Sequence, residues 1–124
     1  MPMSVDGFLF DSGKILFRQH GVEFSPHTIP GVVSVTVYSH GHGCRLGFTN
    51  GSCMSIQWHD GAYCSNRFLP LNQEYSFSPD AQISIFTSAG EWHNFGNATV
   101  AGWQSIQDVM NYIRHHANPF ASVA

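Results

Sequence analysis

The pair Asn50-Gly51 constrains this chain more than any other two residues. It stands between two runs of strand-like composition, residues 45–49 and 53–58. Asn-Gly is the preferred pair for a two-residue type I′ hairpin loop, because both central positions there need positive φ. Such a loop sets Phe48 opposite Cys53, Leu46 opposite Ser55 and Cys44 opposite Gln57. One face of the hairpin then carries those side chains, and the other carries Met54, Ile56 and Trp58 beside Arg45 and Thr49. Neither face is cleanly apolar or polar, whereas a half-solvated sheet alternates. The expectation is that a helix covers one face, and that a second subunit or a ligand covers the other.

The rest of the chain reads mainly as strands. Residues 7–10 and 14–18 flank the turn Asp11-Ser12-Gly13, and residues 32–38 (VVSVTVY) are nearly all β-branched. His40-Gly41-His42-Gly43 reads as a turn, residues 82–87 as a strand, and residues 91–95 as a further short one. Residues 106–116 form the one helical pattern, with Ile106, Val109, Met110 and Ile113 at i, i+3, i+4 and i+7. Ser105 is its N-cap, Asp108 stands at N3 of a capping box, and Asn118-Pro119 stops it. The fold class expected is α+β: one antiparallel sheet of about five to seven strands with a C-terminal helix on one face, as a single domain over residues 1–124.

Charge is scarce. Asp, Glu, Lys and Arg make up 10% of the chain, against about 25% in a typical domain. So little charge fits a surface partly covered by another copy, hence a homo-oligomer. The net charge of −3 argues against a long nucleic acid as partner, but leaves room for a small nucleotide held by a few donors. No run approaches the roughly 20 apolar residues of a membrane span, and the first residues lack a basic region followed by an apolar one. Cys44, Cys53 and Cys64 are odd in number with no C-x-x-C pair, which points to a reducing cytoplasm.

Residues 58–67 carry a density of chemistry that no hairpin requires. Zinc is one reading, through His40, His42 and Cys44, but structural zinc needs a second ligand pair that the sequence lacks. A Cys64 nucleophile paired with His59 or His93 is another, without any recognised nucleophile motif around it. The eight acidic residues show no paired-carboxylate arrangement for acid–base hydrolysis. Ligand binding without turnover suits the residue types best. Aromatic rings stack on bases, an arginine forks onto phosphate, and an asparagine reads an amide-like base edge. The candidate binding residues are Trp58, His59, Tyr63, Ser65, Asn66 and Arg67, together with Arg45 and Trp92. No cofactor is implied.

Phe48-x-Asn50-Gly51, Ser55-Ile56-Gln57-Trp58, Gly61-x-Tyr63-Cys64 and Asn66 together make a pattern that resembles small proteins encoded by tailed bacteriophages. Residues 90–113 resemble the ends of such proteins, which carry an acidic residue where Asn97 stands here; residues 1–31 lie outside the resemblance. The resemblance implies a phage accessory protein acting in the host cytoplasm. Joined to binding residues without catalytic ones, it leads to the expectation of a sponge for a nucleotide-type molecule such as a cyclic-nucleotide signal of bacterial immunity. A protein-binding inhibitor or regulator is the alternative, and a Cys/His- or metal-dependent enzyme comes third.

Overall fold

Short apolar strands joined by glycine turns build most of the chain, seen here in a computed structural model that describes residues 5–70 and 72–117. The strands are β1 (Gly7–Asp11), β2 (Lys14–Gln19), β3 (Val22–Phe24), β4 (Val32–Val37), β5 (Gly43–Phe48), β6 (Cys53–Gln57), β7 (Tyr75–Ser78), β8 (Asp80–Phe86) and β9 (Ala101–Ser105). Helix α1 (Ile106–Ala117) follows, and a 3-10 turn at Pro26–Thr28 precedes β4. The class is α+β, with the strands divided between two antiparallel sheets, one ordered β3-β2-β1-β7 and the other β4-β5-β6-β8-β9.

The first sheet is a meander fixed by its turns. Ser12-Gly13 joins β1 to β2 with φ of 49° and 91°, and His20-Gly21 joins β2 to β3 with φ of 53° and 76°. Both are two-residue loops of the positive-φ kind that match strand twist. The second loop is held from outside, since the Asp6 carboxylate accepts from the His20 and Gly21 N–H groups at 3.0 and 3.4 Å. Those hydrogen bonds hold the Asp6 carboxyl below the usual carboxylate value.

The central hairpin corrects the register expected from Asn50-Gly51. Leu46 pairs with Met54, Arg45 with Ser55 and Cys44 with Ile56. The Gly51 N–H donates to the Phe48 carbonyl at 3.0 Å and the Phe48 N–H to the Ser52 carbonyl at 2.9 Å, so the loop is Thr49-Asn50-Gly51. Gly51 is the one residue of the three at positive φ, 88°. The added residue is the bulge common in three-residue hairpins. Asn50 serves the packing instead. Its Oδ1 accepts from the Ser52 N–H at 3.0 Å, and its Nδ2 donates to the His116 carbonyl at the end of α1. It ties the hairpin to the helix.

A one-residue slip sends every side chain to the other face, so the faces are clean after all. Cys44, Leu46, Phe48, Met54, Ile56 and Trp58 are all buried on one side, and β8 adds Ala81, Ile83 and Ile85. Each such large side chain contributes about 1.5–3 kcal/mol through burial. Phe8, Phe10, Ile15 and Phe17 of the first sheet meet them in one continuous core, with Ile106, Val109 and Ile113 of α1. The Phe8 ring stacks on Trp58 at 5.5 Å between centroids, a direct sheet-to-sheet contact. Mixed faces therefore give no support to a homo-oligomer.

The helix begins as its sequence implies. Ser105 Oγ accepts from the Asp108 N–H at 3.1 Å while Asp108 Oδ2 accepts from the Ser105 N–H at 2.9 Å, a reciprocal capping box. Asn118 and Pro119, expected to stop it, lie outside the described residues. Residues 91–95 make a single bridge, Phe86 to Trp92, in place of a strand. No helix among the described residues is long and apolar enough to cross a membrane.

Candidate functional site

Residues 58–67 divide between structural work and an exposed edge. Trp58 is 0% exposed, and its Nε1–H donates to Ser76 Oγ at 3.1 Å, so it is core and offers no stacking surface. Asn66 Nδ2 donates to the Trp58 carbonyl at 2.9 Å and the Phe77 carbonyl at 3.2 Å, fastening the loop to the residue after β6 and to β7. The Ser65 N–H and Oγ–H both donate to the Asp80 carboxylate at 2.6 Å. This departs from the reading of Trp58, Ser65 and Asn66 as ligand contacts: the Trp58 indole N–H, the Ser65 N–H and hydroxyl and the Asn66 amide N–H are all donated to internal partners.

Tyr63 and Arg67 do face outward. The Arg67 guanidinium lies over the Tyr63 ring at 4.4 Å and near Phe68 at 5.6 Å, while donating to the Gly61 carbonyl at 3.1 Å. Trp103 stands 5.8 Å from Tyr63, held there by its N–H donating to the Tyr63 carbonyl at 2.8 Å. Its φ is 51°, a conformation that bulky residues seldom adopt. Phe68 is 91% and Trp103 56% exposed, so this edge displays a cluster of rings around one arginine.

The histidine turn does not assemble a metal site. Among the described residues no three His, Cys, Asp or Glu side chains converge. Cys44 points into the core and burial pushes its thiol up to about 12. His42 is buried and stacked on Phe10 at 5.3 Å. Burial holds its imidazole below the ordinary value, against a smaller opposing pull from the Asn72 backbone. His40 is lowered for the same first reason, with the His59 ring 4.5 Å away adding to it. Cys64 is also pushed up by burial, and its thiol donates to the His59 carbonyl at 3.7 Å rather than to an imidazole. The His59 ring contacts the Asp60 carbonyl at 2.5 Å and Gln57 Oε1 at 2.9 Å instead. That geometry supplies no thiolate–imidazole pair.

Arg45 and Trp92 come together on the uncovered side of the five-stranded sheet. Since inner positions alternate with outer ones, this side carries Arg45, Cys53, Ser55, Gln57, Ser84 and Phe86. With Tyr38 and Trp92 they line a groove of about 470 Å³, within the usual range for small-ligand sites. The Phe86 and Trp92 rings meet edge to face at 5.0 Å. Tyr38 Oη and Ser55 Oγ are hydrogen-bonded at 2.6 Å, and Gln57 Nε2 reaches Ser55 Oγ at 3.4 Å. Arg45 is exposed, and the ion pair found among the described residues is elsewhere, Arg18 to Glu23. A second cavity of about 320 Å³ gathers His42, Trp58, His59, Asn66 and Tyr75. Asp60 lines it and no lysine or arginine does, which disfavours an anion there.

Tyr38, Ser55, Gln57, Ser84 and Phe86 were missed from sequence. The signal was present in β8, where Gln82, Ser84 and Phe86 alternate with Ala81, Ile83 and Ile85. It became readable as a face once the hairpin register was known. No protein-family model, curated protein or solved structure matches this chain.

Proposed function

We propose that this chain is a non-enzymatic binding protein for a nucleotide-type anion, held in the groove on the outer face of the five-stranded sheet. The observation that carries the reading is Arg45: an arginine with no ion-pair partner among the described residues, on a strand, between Tyr38 on one side and Phe86 and Trp92 on the other. A guanidinium forks onto phosphate, rings stack on a base, and the Ser55, Gln57 and Ser84 floor offers donors and acceptors to a sugar or base edge. The resemblance to phage proteins adds the purpose: sequestering a cyclic-nucleotide signal of bacterial immunity in the host cytoplasm, a role that needs tight binding and no turnover. Calorimetric titration with cyclic di- and trinucleotides and ADP-ribose derivatives tests it. Arg45→Ala is expected to abolish binding, and Trp92→Ala to weaken it by about 1–3 kcal/mol. If no member of the panel binds below about 10 μM, roughly −7 kcal/mol, the reading fails.

The ring cluster of Tyr63, Phe68 and Trp103 around Arg67 favours a second reading, an inhibitor that covers a host or phage protein. Tyrosine, tryptophan and arginine are the residues that dominate such interfaces. Pull-down from host lysate separates the two: a partner lost on Trp103→Ala and kept on Arg45→Ala supports the inhibitor.

A further inference from the structure

We propose that two copies of this chain pair through the outer edge of β4, which no other strand occupies among the described residues, so that the outer-face groove is completed by the partner. Strand β4 ends the five-stranded sheet, and its neighbour on one side is β5. Because the Tyr38 N–H donates to the Gly43 carbonyl at 3.1 Å, residues of Tyr38's parity, Thr36 and Tyr38, bond inward to β5. Val35 and Val37 therefore turn their N–H and C=O groups outward. An edge of this kind invites another strand unless lysine, proline or a bulge blocks it. The β4 sequence, VVSVTV, holds no charge and no proline, and its irregularity is confined to the Val32/Ser34 end.

The occupant is fixed by symmetry. A two-fold axis demands that residue i meet j while j meets i. Residues 33–37 read Val-Ser-Val-Thr-Val, the same in both directions by residue class. Antiparallel pairing about Val35 sets Val35 against its own copy, and Ser34 against Thr36 of the partner subunit. Hydroxyl pairs of that type favour strand pairing. Val33 and Val37, 62% and 40% exposed, are brought together at both ends. No like charges meet.

The consequence for the groove rests on the binding reading above. Ser34 and Thr36 lie on the same outer side as Arg45, in a depression of about 570 Å³ that also touches Tyr38 and Phe86. Pairing joins two such surfaces across the axis. With strands ~4.8 Å apart and ~3.4 Å per residue, the two Arg45 Cα atoms stand ~16 Å apart. That is close enough for both guanidinium groups to turn toward one ligand over the axis. The class that fits is a nucleotide with two phosphates, one for each arginine.

Sedimentation velocity across the micromolar to millimolar range tests the pairing. The wild type is expected to reach twice the 13.7 kDa chain mass. Ser34→Glu with Thr36→Glu sets carboxylates opposite one another and is expected to abolish the dimer. Ser34→Lys with Thr36→Glu sets opposite charges in the same register and is expected to restore it. Hydrogen exchange on the wild type gives a variant-free check: the Val35 and Val37 amides are expected to gain protection with concentration. A wild type monomeric throughout, a dimer that survives the double glutamate change, or amides indifferent to concentration would overturn the proposal. A monomer that binds nucleotide leaves the groove standing without the pairing, whereas a dimer that binds none does the reverse.

Discussion

Replacing Asn66 by alanine separates the two uses that a loop amide can have. If residues 58–67 were a binding loop, the change would remove a ligand contact and leave the fold alone. The structure gives the amide two carbonyl partners, Trp58 at 2.9 Å and Phe77 at 3.2 Å. Each hydrogen bond contributes about 0.5–1.5 kcal/mol net, and a half-buried carbonyl left without its donor adds to the loss. The total is about 2–3 kcal/mol by that reckoning. For a chain of 124 residues, unfolding entropy near ~2.1 cal/mol/K per residue turns this into a fall in Tm of roughly 8–12 °C. Thermal melts by circular dichroism read it directly, and titration at a temperature well below the melt reads affinity. Asn66→Ala is expected to melt early and to bind nucleotide as tightly as wild type. An unchanged Tm together with lost binding would refute the structural assignment and return the site to the loop.

Other expectations concern separate parts of the fold. His40, His42 and His116 are all held below their ordinary value of 6.5, each first by burial. The unfolded chain then takes up protons that the folded chain refuses, so stability is full above about pH 6.5 and falls as pH drops below it. Melts between pH 8 and 5 should show that fall, and His116→Phe should make it shallower; a flat profile would contradict the burial. Ser105→Ala removes the helix cap and should cost about 1 kcal/mol without touching affinity, measurable by urea unfolding. Cys53 is the half-buried thiol of the three and lines the groove, while Cys44 and Cys64 are buried. Mild alkylation read by mass spectrometry should label Cys53 first, and a nucleotide in the groove should slow it. Equal labelling of all three thiols would mean that the core opens.

What could be read from the sequence was local. The stripe Ile106, Val109, Ile113 is buried, and Ser105 with Asp108 closes the capping box, because helix periodicity and capping involve residues three or four apart. The turn at Ser12-Gly13 and the strand β4 are legible for the same reason. The sequence of Asn50-Gly51 carried a turn but not its length, since two- and three-residue loops both accept Asn-Gly, and the difference of one residue exchanged the two faces of β6 relative to those of β5. That reversal took Trp58 into the core and put Arg45, Ser55 and Gln57 on one open surface. Asn66 and Ser65 have the composition of ligand contacts, yet Phe77 and Asp80 claim them from eleven and fifteen residues away. Only tertiary structure decides such pairings, because whether a polar side chain serves a ligand or a backbone carbonyl depends on which distant strand the fold brings beside it.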